Sequence, residues 1–228
     1  MSEDSGQRDG ILKAIQAALG ARGDEPGRHG IVRARLERSP HGLIPARARQ
    51  PATELVAQFS TMLAAQGAVV RTLANARALP KAIAAQLAEF NLPARLRHGE
   101  EPLFASLPWD KTLIERDLGP ADAADAVSLS RAMAGAAETG TLFLTSGREN
   151  PSTLNFLPET HLVALLAEDL AGSYEEAWDA LRGRYGRGIL PRTVNLVSGP
   201  SASADIEQRL IRGAHGPRRL AVFVIQKK

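Results

Sequence analysis

Two short stretches and two histidines hold the side chains of this 228-residue chain that could do chemistry. The first stretch is Ala137-Glu138-Thr139-Gly140-Thr141, which runs straight into the apolar Leu142-Phe143-Leu144. A carboxylate, a hydroxyl and a glycine at the mouth of a buried strand offer an acceptor, a donor and close backbone approach. An ordinary turn explains the same residues: Gly140 supplies a permissive φ, Thr139 caps it and Glu138 is solvated. The second stretch is Ser198-Gly199-Pro200-Ser201-Ala202-Ser203-Ala204-Asp205-Ile206-Glu207. It follows a strand expected over Thr193 to Val197 and opens a helix expected over Ala204 to Arg212. Small residues ahead of a helix expose unpaired N–H groups that suit an anion, which makes Ser198, Gly199, Ser201, Ser203 and Asp205 candidate ligand contacts. A plain helix cap is the competing account. Ser201 or Ser203 caps, Asp205 pairs with Arg209, and Asp205 and Glu207 repel a phosphate. His161 precedes Leu162 to Leu166, and His215 sits in Gly213-Ala214-His215-Gly216-Pro217 before the last strand. Each could move a proton or bind a carboxylate near neutral pH, and each could equally fix a turn.

Several chemistries are excluded or lose support. The chain has no cysteine, so it offers no disulfide, no thiolate-ligated metal and no cysteine nucleophile. There is no G-x-G-x-x-G after a strand, no G-x-x-x-x-G-K-[ST] and no G-x-S-x-G. The cluster Gly183, Gly186 and Gly188 lacks the P-loop lysine and reads as a plain loop. The five histidines show no H-x-x-x-H spacing, so no zinc site is indicated. Composition is that of a globular protein, 44% hydrophobic and 23% charged. The net charge is only +3, and positions 22–50 hold seven arginines against Asp24, Glu25 and Glu37. The excess basicity therefore sits in one segment. Aromatics make up 4%, too few for base stacking, and a nucleic-acid-binding domain is not expected. No apolar run is long enough to span a bilayer and the N-terminus is acidic, so a cytoplasmic protein is expected.

The elements that must position these residues alternate. An amphipathic helix with Ile11, Leu12, Ile15, Ala18 and Leu19 is expected after a Ser5 cap. Pro26, Pro40, Pro45 and Pro51 then punctuate an extended arm, so that an N-terminal helix and arm span 1–51 and an α/β domain spans 52–228. Within the domain, helices are expected over Ala52 to Gln66, Leu79 to Phe90 and Tyr174 to Leu181. Strands are expected over Ala68 to Leu73, Thr112 to Ile114, Val127 to Leu129, Thr141 to Thr145 and Leu220 to Ile225, with Leu162 to Leu166 apolar throughout. Ala132 to Ala137 reads as a small-residue turn or helix. Continuous apolar strands between helices predict an α/β fold with a mostly parallel sheet.

Four of these segments, in order, resemble the lactate-utilisation protein C family, whose core is the LUD domain. They are Ala137-Glu138-Thr139-Gly140-Thr141, Leu157-Pro158 with His161, Ser198-Gly199-Pro200-Ser201 with Asp205-Ile206-Glu207, and His215-Gly216-Pro217. The resemblance covers roughly Ala52 to Gln226. It implies a Rossmann-like α/β sandwich similar to the ribose-phosphate isomerase, glucosamine-phosphate deaminase and CoA-transferase group. It also implies a role in oxidation of L-lactate to pyruvate beside iron–sulfur partner proteins, which agrees with a chain that has no cysteine to hold a cluster. Two departures stand out. Met133 and Ala136 replace the family's usual acidic and bulky aliphatic residues, and Ser203 stands where threonine is common. The resemblance leaves two roles open. One is an accessory subunit that binds a small carboxylate or phosphate-bearing ligand. The other is a free-standing isomerase- or CoA-transferase-like enzyme with Glu138 as base or nucleophile and His161 or His215 as proton carrier.

Overall fold

The computed structural model describes residues 3–20, 26–206 and 209–227, with side chains over 6–20, 26–203 and 212–227. The chain forms two compact units, Met1–His41 and Gly42–Lys228.

The smaller unit holds α1 (Glu3–Leu19) and α2 (Pro26–Arg38). The first helix contains Ser5 rather than starting after it. The second replaces the extended arm expected here. Pro26 occupies its first position, where a fixed φ helps and a missing N–H costs nothing, so the proline starts the helix instead of breaking it. Arg35 and Arg38 lie in its last turn, where cations oppose the helix dipole. Ser39 closes it at φ 41 with its N–H on the Arg35 carbonyl at 2.8 Å.

In the larger unit a six-stranded parallel sheet runs in the order β1 (Val69–Leu73), β12 (Arg219–Ile225), β7 (Thr160–Leu166), β4 (Val127–Arg131), β2 (Arg95–His98), β3 (Glu115–Leu118). β7 is buried along its whole length, as a central parallel strand covered on both faces must be. Its side chains alternate. Leu162, Ala164 and Leu166 join Ala221, Phe223 and Ile225 of β12 against α4 (Leu79–Glu89) and α5 (Pro102–Ala105). Val163 and Leu165 join Val222 and Val224 on the opposite face, against Phe59 and Leu63 of α3 (Ala52–Ala65).

A second sheet packs on that opposite face, in the order β8 (Leu170–Ala171), β5 (Ala134–Ala136), β6 (Thr141–Thr145), β9 (Val194–Val197). Its Leu142 and Leu144 share the inter-sheet core, and Phe143 turns outward to Ala177 and Leu181 of α6 (Tyr174–Tyr185). The run Ala132 to Ala137, expected as a turn or helix, supplies β5. Its small residues answer to close packing: a Cβ on Gly135 would stand 2.8 Å from Leu170, 3.0 Å from Leu165 and 3.2 Å from Phe59.

Two further expectations change. β2 and β3 stand where the sequence offers only Thr112 to Ile114 as a strand; that segment precedes β3, just after a turn of 3-10 helix over Trp109–Lys111. The helix expected over Ala204 to Arg212 is instead an antiparallel hairpin of β10 (Ala202–Ile206) and β11 (Arg209–Arg212). Ser201 binds both ends of its base, donating its N–H to the Pro217 carbonyl at 2.8 Å and accepting from Gly213 N–H at 2.9 Å. These tertiary anchors override a helix-favouring composition.

Candidate functional site

The Glu138 motif is the turn between β5 and β6. Gly140 sits at φ +68, and a Cβ there would come within 2.5 Å of the Leu63 amide nitrogen. Only glycine fits both demands. Gly140→Ala is therefore expected to lower stability by at least about 2 kcal/mol, read by denaturant unfolding; an unchanged midpoint would contradict this packing.

Glu138 is 5% exposed. One carboxylate oxygen accepts the Tyr174 N–H at 2.9 Å, and the other lies 3.5 Å from the Arg47 guanidinium. The residue thus satisfies a free amide at the start of α6, beside the capping box of Ser173 and Glu176. Its neighbours bond through their hydroxyls. Thr141 Oγ1 lies 2.8 Å from Thr139 Oγ1, 2.6 Å from the Tyr174 hydroxyl and 2.6 Å from Ser198 Oγ. The pairing of Leu142 with Val197 in β6 and β9 brings Thr141 and Ser198 together. One hydroxyl group therefore ties the first motif to the second.

Beyond Ser198 the second motif lines a cavity of about 170 Å³, together with Asn155, His161, Gly199, Ser201 and His215. Five of the residues singled out in the sequence meet here. Gly199 lies close against α3: a Cβ on it would stand 2.8 Å from Gln66 Cβ. Ser201 Oγ accepts the His215 N–H at 3.3 Å, stitching the two loops, and the His215 side chain is exposed. The loop leads into a strand, so the helix-terminus argument for an anion, and the capping roles of Ser201 and Ser203, fall away. Ser203 belongs to β10 and does not line the cavity. The side chains of Asp205 and Glu207 lie outside the described residues. Thr139 and Gly140 reach the cavity only through Thr141 and Ser198.

His161 is fully buried at the start of β7, and burial pushes its pKa down to about 3. Its Nε2 lies 3.0 Å from Ser130 Oγ, and Ser130 Oγ lies 3.3 Å from Asn155 Oδ1. Hydrogen-bond direction follows from these contacts. An amide oxygen can only accept, so Ser130 spends its proton on Asn155 and must accept from His161. His161 is then the neutral Nε2–H tautomer, with a lone pair on Nδ1. Both that Nδ1 and Asn155 Nδ2 are buried without a partner. The cavity is thus lined by a residue with an unused acceptor and one with an unused donor, on side chains 0% and 1% exposed. A neutral His161 accepts a proton-bearing group but does not supply a proton near neutral pH. Sequence reasoning missed Asn155, Ser130, Thr141 and Tyr174. The available signal was Ser128 and Ser130 alternating with Val127 and Leu129.

Sheet, flanking helices and site together define an α/β protein with a mostly parallel sheet and a small cavity between its two sheets that holds two unpartnered polar atoms. The LUD domain model matches residues 56–225, and the chain belongs to that family. A lactate utilization protein C from Geobacillus thermodenitrificans is 32% identical over 143 residues, covering 61% of this chain and 59% of that protein. A protein from Neisseria meningitidis serogroup B is 41% identical over 97 residues, 42% of this chain and 40% of its own. The chain therefore matches about half the length of these relatives. The crystal structure of a DUF162 family protein from Deinococcus radiodurans is similar in fold, with a TM-score of 0.56 at 22% identity over 77% of this chain and 98% of that one. Among the described residues there is no group of three or more His, Asp or Glu side chains placed to hold a metal ion. No described helix is long and apolar enough to cross a membrane.

Proposed function

We propose that this chain is a cytoplasmic lactate-utilisation protein that binds a small hydroxy-carboxylate in the cavity at His161 and Asn155. It works beside iron–sulfur partner proteins in the oxidation of L-lactate to pyruvate, with residues 52–228 as the working domain. The observation that carries this reading is the pair of buried, unused atoms. A substrate hydroxyl donates to His161 Nδ1, and a carboxylate oxygen accepts from Asn155 Nδ2 and from the Ser201 hydroxyl. The chain binds and orients; electrons leave through partners that carry the clusters this cysteine-free chain does not. The cavity is small beside the ~300–1,000 Å³ of drug-sized sites, which suits a metabolite of a few heavy atoms. The kinship with the ribose-phosphate isomerase and CoA-transferase group belongs to the same proposal. A free-standing enzyme of that kind would use Glu138, whose carboxylate already serves Tyr174 and Arg47.

Calorimetric titration tests the reading. L-lactate is expected to bind saturably, and propionate, which lacks the hydroxyl, at least about tenfold more weakly because Nδ1 is left unpaired. Equal affinity for the two, or no heat with either lactate or pyruvate, would remove the hydroxy-carboxylate from this cavity.

A further inference from the structure

A second cavity with charged residues in its wall lies on the other face of the parallel sheet, at the carboxyl end of β2. In the sheet order, the next strand after β2 is β3 on one side, whereas the next strand of this sheet after β4, reached through β5 and β6 of the second sheet, is β7 on the other. Adjacent strands whose connections leave in opposite directions open a crevice at their carboxyl ends, where α/β sheets take ligands. A cavity of about 420 Å³ lies on the β3 side of this point, at the carboxyl end of β2, lined by His98, Glu100, Glu101 and Arg116 among others.

His98, the last residue of β2, is 3% exposed. Its Nδ1 lies 2.7 Å from the Gly99 carbonyl, which can only accept, so Nδ1 carries the proton and Nε2 the lone pair. That Nε2 is buried without a partner. Burial, with the charge of Arg116 adding to it, lowers the pKa of the ring and holds it neutral. The Arg116 guanidinium lies 4.9 Å over the Trp109 ring and has no carboxylate partner among the described residues. Glu100 pairs with Arg148, and Glu101 with Arg131. Those two carboxylates disfavour an anion beside them, which leaves cationic Arg116 as the end that takes an anion and His98 as an acceptor for a hydroxyl.

We infer that this crevice is a second binding site, for a small molecule that carries an anionic group next to a hydroxyl. It is separate from the cavity at His161. The His98 ring packs edge-on against Phe104 of α5, on the face that carries Leu96 and Leu129, whereas His161 points to the face that carries Val163 and Leu165. Two strand spacings, about 10 Å, also separate β2 from β7 across the sheet. The second site stands independently of the proposed function.

The experiment titrates the full chain with glycerol 3-phosphate, D-glycerate, inorganic phosphate and glycerol. It follows the heat and the 15N signal of His98 Nε2, in the wild type, Arg116→Gln and Ser201→Ala. Glycerol 3-phosphate or D-glycerate is expected to move the His98 signal saturably, with an affinity that weakens at least about tenfold in Arg116→Gln and is unchanged in Ser201→Ala. D-glycerate heat that is lost in Ser201→Ala belongs to the cavity at His161. Whichever of the two binds more tightly identifies the anionic group as phosphate or carboxylate. Absence of saturable binding with both overturns the second site. Unchanged binding in Arg116→Gln overturns it equally, as does inorganic phosphate binding as tightly as glycerol 3-phosphate with the His98 signal still. Arg116 is exposed, so its variant is expected to fold.

Discussion

Lowering the pH from 6 to 4 is expected to cost the folded protein about 2–3 kcal/mol through His161 alone. The ring titrates at about 3 in the folded protein and at ~6.5 in the unfolded chain. As pH falls below the unfolded value, the unfolded chain takes up a proton that the folded one refuses. The contribution of His161 is therefore complete above ~6.5 and is lost progressively toward 3, at about 1.4 kcal/mol per pH unit. His98 is lowered by burial too and acts with the same sign. Comparing wild type with His161→Gln isolates the larger effect, because Gln can still donate to Ser130 but does not titrate. Denaturant unfolding at pH 6, 5 and 4 should show a shallower fall for the variant. Parallel lines for the two proteins would mean that the ring is hydrated rather than enclosed.

The second large effect is expected at Phe59. This side chain is fully buried where α3 meets both sheets, and it faces Gly135, which offers no side chain of its own. Truncation leaves a hole that the glycine cannot fill. Phe59→Ala should cost about 3–5 kcal/mol, the upper end of the range for core truncations that do not collapse. Adding Gly135→Ala to that variant should cost less than the same change in the wild type, since the contact of its methyl with the Phe59 ring at 3.2 Å is then gone. The same Gly135→Ala change in the wild type should destabilise, because its Cβ would press on Leu170 at 2.8 Å. A smaller cost of Gly135→Ala in the Phe59→Ala background than in the wild type, measured by a double-mutant cycle, is the signature of this contact. Equal effects would place the glycine away from the ring.

The central strands and most of the helices are legible in the sequence. A strand covered on both faces is written as an unbroken apolar run, and Leu162 to Leu166 and Leu220 to Ile225 are such runs. The helix starting at Tyr174 announces itself by Ser173 and Glu176 at capping-box spacing. β2 and β3 carry arginines and acids because they stand toward the sheet's edge, so they lack that apolar signature. The β10–β11 hairpin is hidden for another reason. Its residues favour a helix locally, and the bonds that decide otherwise come from Pro217 and Gly213. The site shows the same division. His161, Ser198, Ser201 and His215 stand out as motif residues, whereas Asn155 and Ser130 gain meaning only when β4 lies against β7. Glu138 attracts notice for its type, yet its geometry joins it to α6.

The buried chain from His161 through Ser130 to Asn155 also indexes one strand against the next. The apolar residues of β4 and β7 alternate, so sliding one strand past the other by two residues would keep each of them on its proper face, and oiliness alone sets no notch. Only one alignment gives the imidazole, the hydroxyl and the amide their mutual bonds. Any other strands three polar groups in a dry interior, at about 1–3 kcal/mol apiece. The polar seam works as a vernier mark between two smooth rulers.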